Sequence, residues 1–395
     1  MNIILIPSIS YYHPMFQRPQ QLANQFSEHG HNVLYVEPIK FKQNSFLNPH
    51  LEVWFADTKK QIFSKTSTLK DHLVKLKFID ERSIIKKLRL NKLYHYFRGK
   101  ILKPALDNKF EEYINCDRKL VIFQYPLLTE HIPQLKAKGF KIIYDRLDDL
   151  SGFKGFTNRE KEKELALIKH ADLVVTTSNE LYNKTVPLSK NVVLIKNAVD
   201  LAHFSTAKKA SKKYFSRPAD LPDGKTIIGY IGAAWDWFDT ELLIYLAKKR
   251  SDCNFILIGI ILDSIKKKLK KYSNIYILGE KKYAVLPSYL HYFDVATIYF
   301  KNNDLIKSTN PIKAYEYLAA GKPIVSTYVQ ELKGFPYTFL SSSKEEFLTN
   351  LNETLESKPN ILRINNFLKN HTWKARYNDF AYHINNLFGG NAKIK

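Results

Sequence analysis

Residues 2–36 read NIILIPSISYYHPMFQRPQQLANQFSEHGHNVLYV: an apolar run, a polar and aromatic loop, a helix-spaced segment and a second apolar run. Asn2 to Pro7 is a short apolar segment of the kind buried in a sheet, and Val33-Leu34-Tyr35-Val36 is another. Between them Pro19 suits a first helical turn, Leu22, Ala23 and Phe26 recur at helical spacing, and Gly30 suits a left-handed C-terminal cap. Strand, loop, helix and strand in about 35 residues make a βαβ unit, which requires a parallel sheet with right-handed crossovers.

The alternation continues. Strands are expected at 51–56, 120–124, 140–145, 172–176 and 192–195, with a helix at 159–170. Residues 205–225 are rich in Lys, Ser, Pro and Asp and read as a linker. The pattern then restarts at Thr226 to Gly232, with helices at 239–250 and 311–320 and strands at 254–258, 275–278, 294–299 and 323–326. Two successive doubly wound α/β units follow. Such sheets bind ligands at the carboxyl ends of their strands, so two facing units form a cleft.

With 395 residues the chain is long enough for two cores. It carries 61 Lys and Arg against 38 Asp and Glu, a net charge of +23, and only two cysteines, Cys116 and Cys253. The cysteine usage fits a reducing cytosol, and neither a spanning segment nor a signal peptide is expected. Residues 59–109 hold 15 Lys and Arg against four Asp and Glu, interleaved with apolar residues. That stretch reads either as a solvated basic face or as a surface for an anionic acceptor or membrane, with Lys86, Lys87, Arg89 and Lys92 as its centre. No RRM-type aromatic signature or helix-turn-helix pattern accompanies the charge, so nucleic acid is not expected as a partner.

The densest chemistry lies in Ser308-Thr309-Asn310-Pro311-Ile312-Lys313-Ala314-Tyr315-Glu316, ending Gly321-Lys322-Pro323-Ile324-Val325. Pro311 places a helix start after three capping-type residues, so the first N–H groups and the positive dipole end suit a diphosphate. Lys313 adds a charge, and Glu316, one turn on, can accept from ribose hydroxyls. An ordinary helix–turn–strand with a surface Glu is the alternative. The other histidines show no metal-ligand spacing, and there is neither a P-loop nor a G-x-G-x-x-G motif, so no metal site is expected.

Asn310 to Val325 resembles the nucleotide-sugar signature of GT-B glycosyltransferases of the family-4 kind. Ile228 to Ala233 with Trp237-Phe238-Asp239, and Asn197-Ala198-Val199-Asp200 with Phe204, are similar to other runs of that family. Arg18 to Ala23, Val33 to Pro38 and Tyr144 to Asp149 resemble the subgroup of teichuronic-acid-type transferases. The resemblance implies two Rossmann-like domains facing across a cleft: 1–204 on the acceptor side, 205–371 for the nucleotide sugar, and a helix of about 372–388 packing back on the first. It implies retaining transfer from a nucleotide diphosphate sugar, UDP favoured, with no required cofactor, to a glycan or polyprenyl-diphosphate-linked acceptor for a bacterial surface polysaccharide. The protein is expected in the cytoplasm, peripheral on the inner face of the membrane. Carried over, Glu316 holds the ribose, the N–H groups of Ile312 and Lys313 hold the diphosphate, and Gly279, Lys281 and Tyr283 border the base, with Gly232, Asn310 and Pro311 completing the donor site.

Two departures stand out. Ser308 replaces the first Glu of the family's E-x7-E, leaving Asn310 or Thr309 to contact the donor sugar. The family's Arg…Lys pair is absent from Ala233 to Trp237, so Lys281, Lys282 or Lys313 must neutralise the leaving diphosphate. These gaps also admit a non-transferring relative, a sugar-nucleotide epimerase or a degenerate binding subunit. At a strand end, Asp148 and then Asp149 are the candidates to orient an acceptor hydroxyl or take its proton, against a plain capping or Arg-paired role. His13, a further catalytic candidate, and Arg18, a candidate for the acceptor or membrane face, lie in the first strand–helix loop, within reach of the cleft.

Overall fold

A parallel strand covered on both faces must be apolar nearly throughout, as the central strands Asn2–Ile6, Lys119–Phe123, Thr226–Ile231 and Val295–Ile298 are. The computed structural model describes residues 1–9, 11, 13–39, 73–79, 116–126, 129–153, 156–209 and 216–390, with the backbone alone at 37–39, 73–79 and 209. The expected strand 51–56 and the residues Lys86, Lys87, Arg89 and Lys92 lie outside the described residues.

The first sheet contains β1 (Asn2–Ile6), β2 (Asn32–Ile39), β3 (Leu73–Ile79), β4 (Lys119–Phe123), β5 (Lys141–Arg146), β6 (Leu173–Thr176) and β7 (Val192–Leu194). All are parallel, in the order β3-β2-β1-β4-β5-β6-β7. The pleat divides β1 between two cores. Ile3 and Leu5 pack with Leu22 and Phe26 of the helix Arg18–Glu28 and with Phe380 and Ile384 of the helix Trp373–Leu387. Ile4 and Ile6 pack on the other face with Ile132, Leu135, Leu167 and Ile168. Each fully buried side chain of this kind contributes about 1.5–3 kcal/mol.

The second sheet holds β8 (Thr226–Ile231), β9 (Cys253–Ile258), β10 (Ile275–Gly279), β11 (Val295–Ile298), β12 (Ile324–Thr327) and β13 (Thr338–Ser341). Its order is β10-β9-β8-β11-β12-β13, again parallel. Strand order reverses between β1 and β4 in one sheet and between β8 and β11 in the other. Those switch points open the crevices in which doubly wound sheets bind ligands.

The chain crosses between the units twice, and the crossings run side by side. Val199 N donates to His371 O at 3.0 Å and Trp373 N to Val199 O at 3.3 Å. Val199, Phe204 and Ala207 are buried in the second core, while the helix Trp373–Leu387 returns to the first.

Arg18 is 2% exposed. Its guanidinium donates to Asp145 from Nε at 2.9 Å and from Nη2 at 2.7 Å, and from Nη1 to the carbonyls of Ile195 (3.0 Å) and Lys196 (3.1 Å). This corrects its assignment to an acceptor or membrane face. All three of its nitrogens are spent tying the first helix to β5 and to the crossing segment. Arg18→Ala leaves Asp145 charged, buried and short of its partner, and should destabilise the protein by about 3–5 kcal/mol. Arg18→Lys keeps the charge without the fork and should recover only part of this in urea denaturation followed by near-UV circular dichroism.

Candidate functional site

Among the described helices, most are capped by a side chain: Thr157, Ser178, Asp200, Asp239, Asn303, Ser343, Asn360 and Thr372 each accept from a first-turn N–H. The helix Ile312–Ala319, which follows β11 at the second switch point, begins at Pro311 with no side-chain cap. Its first turn closes with Ala314 N donating to Pro311 O at 3.2 Å, so the N–H groups of Ile312 and Lys313 precede that bond. They face a cleft of about 450 Å³ between the two units. A helix start of this kind is an anion site by geometry and by dipole.

Lys313 is half-buried in the cleft wall. Its Nζ donates to Tyr230 Oη at 2.9 Å and lies 4.2 Å from the Tyr230 ring centroid and 5.1 Å from that of Phe300. Burial pushes this lysine down to about 7, with the Glu316 charge opposing the shift. Burial likewise pushes Glu316 up to about 8, offset by Lys313 and reinforced by Asp200. The Glu316 carboxyl has no hydrogen-bond partner among the described residues.

Asn310 is 3% exposed and reaches the same cleft. Its Oδ1 accepts from Asn197 N at 2.9 Å and Tyr315 Oη at 3.2 Å, and its carbonyl accepts from Asn197 Nδ2 at 2.7 Å. These partners fix the amide orientation. They leave its buried Nδ2 with no partner among the described residues, a donor in need of an acceptor.

Two glycines let the backbone close up here. Gly232, φ +147°, sits where a Cβ would lie 2.4 Å from Lys313 Nζ, and Gly259, φ +133°, where a Cβ would lie 2.2 Å from the Gly232 carbonyl. Gly232 was legible as the end of an apolar strand. Gly259 was not singled out, although Ile258-Gly259 offers the same signal.

The first unit contributes His13, Phe16, Asp148 and Phe153 to the cleft. His13 Nδ1 lies 3.2 Å from Met15 N and 3.3 Å from Met15 O, so its ring is oriented by its own loop. Burial, and then the charge of Asp149, push Asp148 up to about 6, and no described side chain hydrogen-bonds its carboxyl. Tyr283 closes one end of the cleft. Gln21 Nε2 donates to its hydroxyl at 3.1 Å, and its ring lies against Phe16 at 5.1 Å and stacks on His203 at 4.4 Å.

Three expectations need correction. Asp149 is not on the cleft. Its carboxylate accepts from Ser151 Oγ at 2.6 Å and from Lys184 Nζ at 3.0 Å. Although burial opposes it, those bonds hold the acid below its usual range. A carboxylate engaged this way is a cap and an ion-pair partner. Lys281 reaches the cleft but sits 2.6 Å from Asp220, so its charge is already matched. Gly279 lies behind the cleft wall, its carbonyl accepting from Gly259 N at 2.8 Å.

Ser308 is fully buried at the junction between the units. Its Oγ accepts from Lys184 at 3.1 Å and its carbonyl from Ser178 Oγ at 2.7 Å. Thr309 and Asn310 line the cleft in its stead. Among the described residues no three His, Cys, Asp or Glu side chains gather as metal ligands. No described helix is long and apolar enough to cross a membrane.

Solved structures share this architecture. Sucrose-phosphate synthase of Thermosynechococcus elongatus superposes with a TM-score of 0.63 at 15% identity, covering 98% of this chain and 99% of that one. The Anabaena protein HepE, solved with UDP and glucose, gives 0.65 at 13% identity over 97% and 98%. The trehalose 6-phosphate synthase of Burkholderia multivorans gives 0.66 at 10% identity over 98% and 99%. The chain has the GT-B fold. In sequence it is 24% identical over 300 residues, 68% of this chain and 73% of its relative, to TuaH of Bacillus subtilis (strain 168), named as a teichuronic acid biosynthesis glycosyltransferase. No family model matches.

The two cleft glycines make separable predictions. Gly259→Ala drives a methyl into fixed backbone and should cost about 2 kcal/mol or more. Gly232→Ala meets the end of a flexible lysine and should cost about 1 kcal/mol, mostly strain at positive φ. Thermal melting of the two variants gives the order.

Proposed function

We propose that the protein is a glycosyltransferase that moves a sugar from a nucleoside diphosphate donor, UDP favoured, to a glycan or lipid-linked acceptor in bacterial surface-polysaccharide assembly. The observation that carries the reading is the uncapped start of Ile312–Ala319 in the cleft, with Lys313 and Glu316 in its first two turns. The solved relative with UDP and the name of the B. subtilis relative support the donor and pathway classes.

In this reading the N–H groups of Ile312 and Lys313 take the diphosphate, and the Lys313 ammonium stabilises the charge that grows on the leaving group. This is the task the family gives to an Arg…Lys pair. Lys281 is discounted because Asp220 neutralises it. Glu316 accepts from ribose hydroxyls, and the unpaired Nδ2 of Asn310 donates to the donor sugar. The base lies towards Tyr283. Asp148 orients the acceptor hydroxyl and takes up its proton, with His13 beside it, and transfer retains configuration without a required cofactor. The basic stretch 59–109 meets an anionic membrane face or a polyprenyl diphosphate, placing the protein at the inner side of the membrane.

A second reading, a non-transferring relative, draws support from Ser308, whose hydroxyl is held by Lys184 in the junction. Release of UDP from a UDP-sugar, with or without an acceptor, eliminates it.

UDP and UDP-glucose should raise the melting temperature. Glu316→Ala and Lys313→Met should each weaken UDP-glucose binding about tenfold or more in calorimetry, the cost of one charge-assisted contact. UDP-glucose has no phosphate that titrates near neutrality, so its affinity should fall as pH rises through about 7, where free Lys313 loses its proton, until Glu316 ionises at about 8 and accepts more strongly from the ribose. Lys313→Met should flatten that dependence. In turnover, kcat/KM should rise as pH passes about 6, where Asp148 becomes a carboxylate, and Asp148→Asn should abolish that limb. Affinity independent of pH and of both variants removes the donor assignment.

A further inference from the structure

Beyond Gly232 the loop carries two tryptophans. Trp235 and Trp237 stack with ring centroids 5.7 Å apart and planes at 21°, and Phe153 from the other unit forms a T-shaped pair with Trp237 at 5.7 Å. All three line the cleft, yet Trp235 is 41% exposed. A stacked aromatic pair partly open to water in a cleft wall is apolar area ready for a ligand to cover.

The platform is held rigidly. Ala234 N donates to Ile260 O at 2.9 Å and Ala234 O accepts from Leu262 N at 3.1 Å. Phe238 is fully buried beside Tyr230 and Tyr299, and Lys301 N donates to Trp237 O at 2.8 Å. The Phe153 side is fixed by a close approach: a Cβ on Gly152 would lie 2.8 Å from Leu305 Cβ, so only glycine lets that turn seat against the second unit. The aromatic face is complete only when both units are together, as an acceptor subsite requires.

We infer that the Trp235–Trp237 face, edged by Phe153, is a subsite for a saccharide ring of the acceptor. The inference rests on the transferase reading and narrows it to acceptors that already carry sugar. A pyranose offers a flat C–H face ringed by hydroxyls. The stacked indoles offer a flat π face, and neither indole N–H has a partner among the described residues, leaving two donors at its rim. The Asp148 carboxyl and Thr309 add polar groups in the same cleft. An acyl or prenyl chain needs an unbroken apolar enclosure, which those groups interrupt. A nucleobase on this platform would be far from Tyr283. Trp237 is bonded to the segment after β11, whereas Tyr283 follows β10, three strand positions from β11 in the sheet and roughly 14 Å away by strand spacing.

The test titrates the full-length protein, with and without UDP, with a panel of neutral, amino-sugar and uronic-acid disaccharides, with decyl phosphate as the lipid-phosphate probe. Tryptophan fluorescence and saturation-transfer NMR read binding, and melting temperature checks that the variants fold. At least one disaccharide should bind, with Trp235→Ala weakening it about tenfold and Trp235→Phe only about twofold, while UDP affinity is unchanged in both. The subsite is overturned if no disaccharide binds, if Trp235→Ala binds as well as the wild type, or if decyl phosphate alone gives the Trp235-dependent response. Loss of UDP affinity in Trp235→Ala also overturns it by assigning the face to the base. If wild-type protein binds disaccharide through Trp235 but never binds UDP, the donor reading fails and the saccharide subsite stands.

Discussion

A single buried path of polar groups holds the two halves of this protein in register. It starts at Asp145 on β5, passes through the Arg18 guanidinium to the carbonyls of Ile195 and Lys196 and to Asn197 Oδ1, and continues from Asn197 to Asn310 and Tyr315 at the start of the helix Ile312–Ala319. Every link is a hydrogen bond inside a low-dielectric interior, where an unpaired member is costly and a paired one fixes geometry. The first sheet thereby sets the position of the residue immediately before Pro311. The uncapped start of Ile312–Ala319, the open amide of Asn310 and the acid at Asp148 line one cleft because of that path.

A second layer of contacts closes the same junction. Glu331 accepts from Asn179 N at 2.7 Å and lies 2.7 Å from Lys196, while Lys184 bridges Asp149 and Ser308. These groups are acids and bases that a one-dimensional reading offers to catalysis. In the folded protein they are matched to each other across the junction. Among the described residues that line the cleft, Lys313, Glu316 and Asp148 are each displaced by burial towards the neutral form.

Much of the architecture was legible because parallel strands announce themselves as apolar runs. The expected strands at 120–124, 140–145 and 254–258 appear as Lys119–Phe123, Lys141–Arg146 and Cys253–Ile258. Leu73–Ile79 was hidden: Lys75 and Lys77 alternate with apolar residues inside the most basic stretch of the chain, and the charge masked a period-two pattern that suits an edge strand. Thr338–Ser341, an edge strand of the second sheet, is too short to stand out.

The site divides along the same line. By itself the sequence determined two doubly wound units and the helix start at Pro311-Ile312-Lys313, because local spacing and backbone chemistry carry both. Only the tertiary structure decided which charges are free. Arg18, Asp149 and Lys281 look as available in the sequence as Lys313 and Asp148. Their partners, Asp145, Lys184 and Asp220, lie 127, 35 and 61 positions away. Neutralisation depends on distance in space, which only the packed sheets and the closed cleft define.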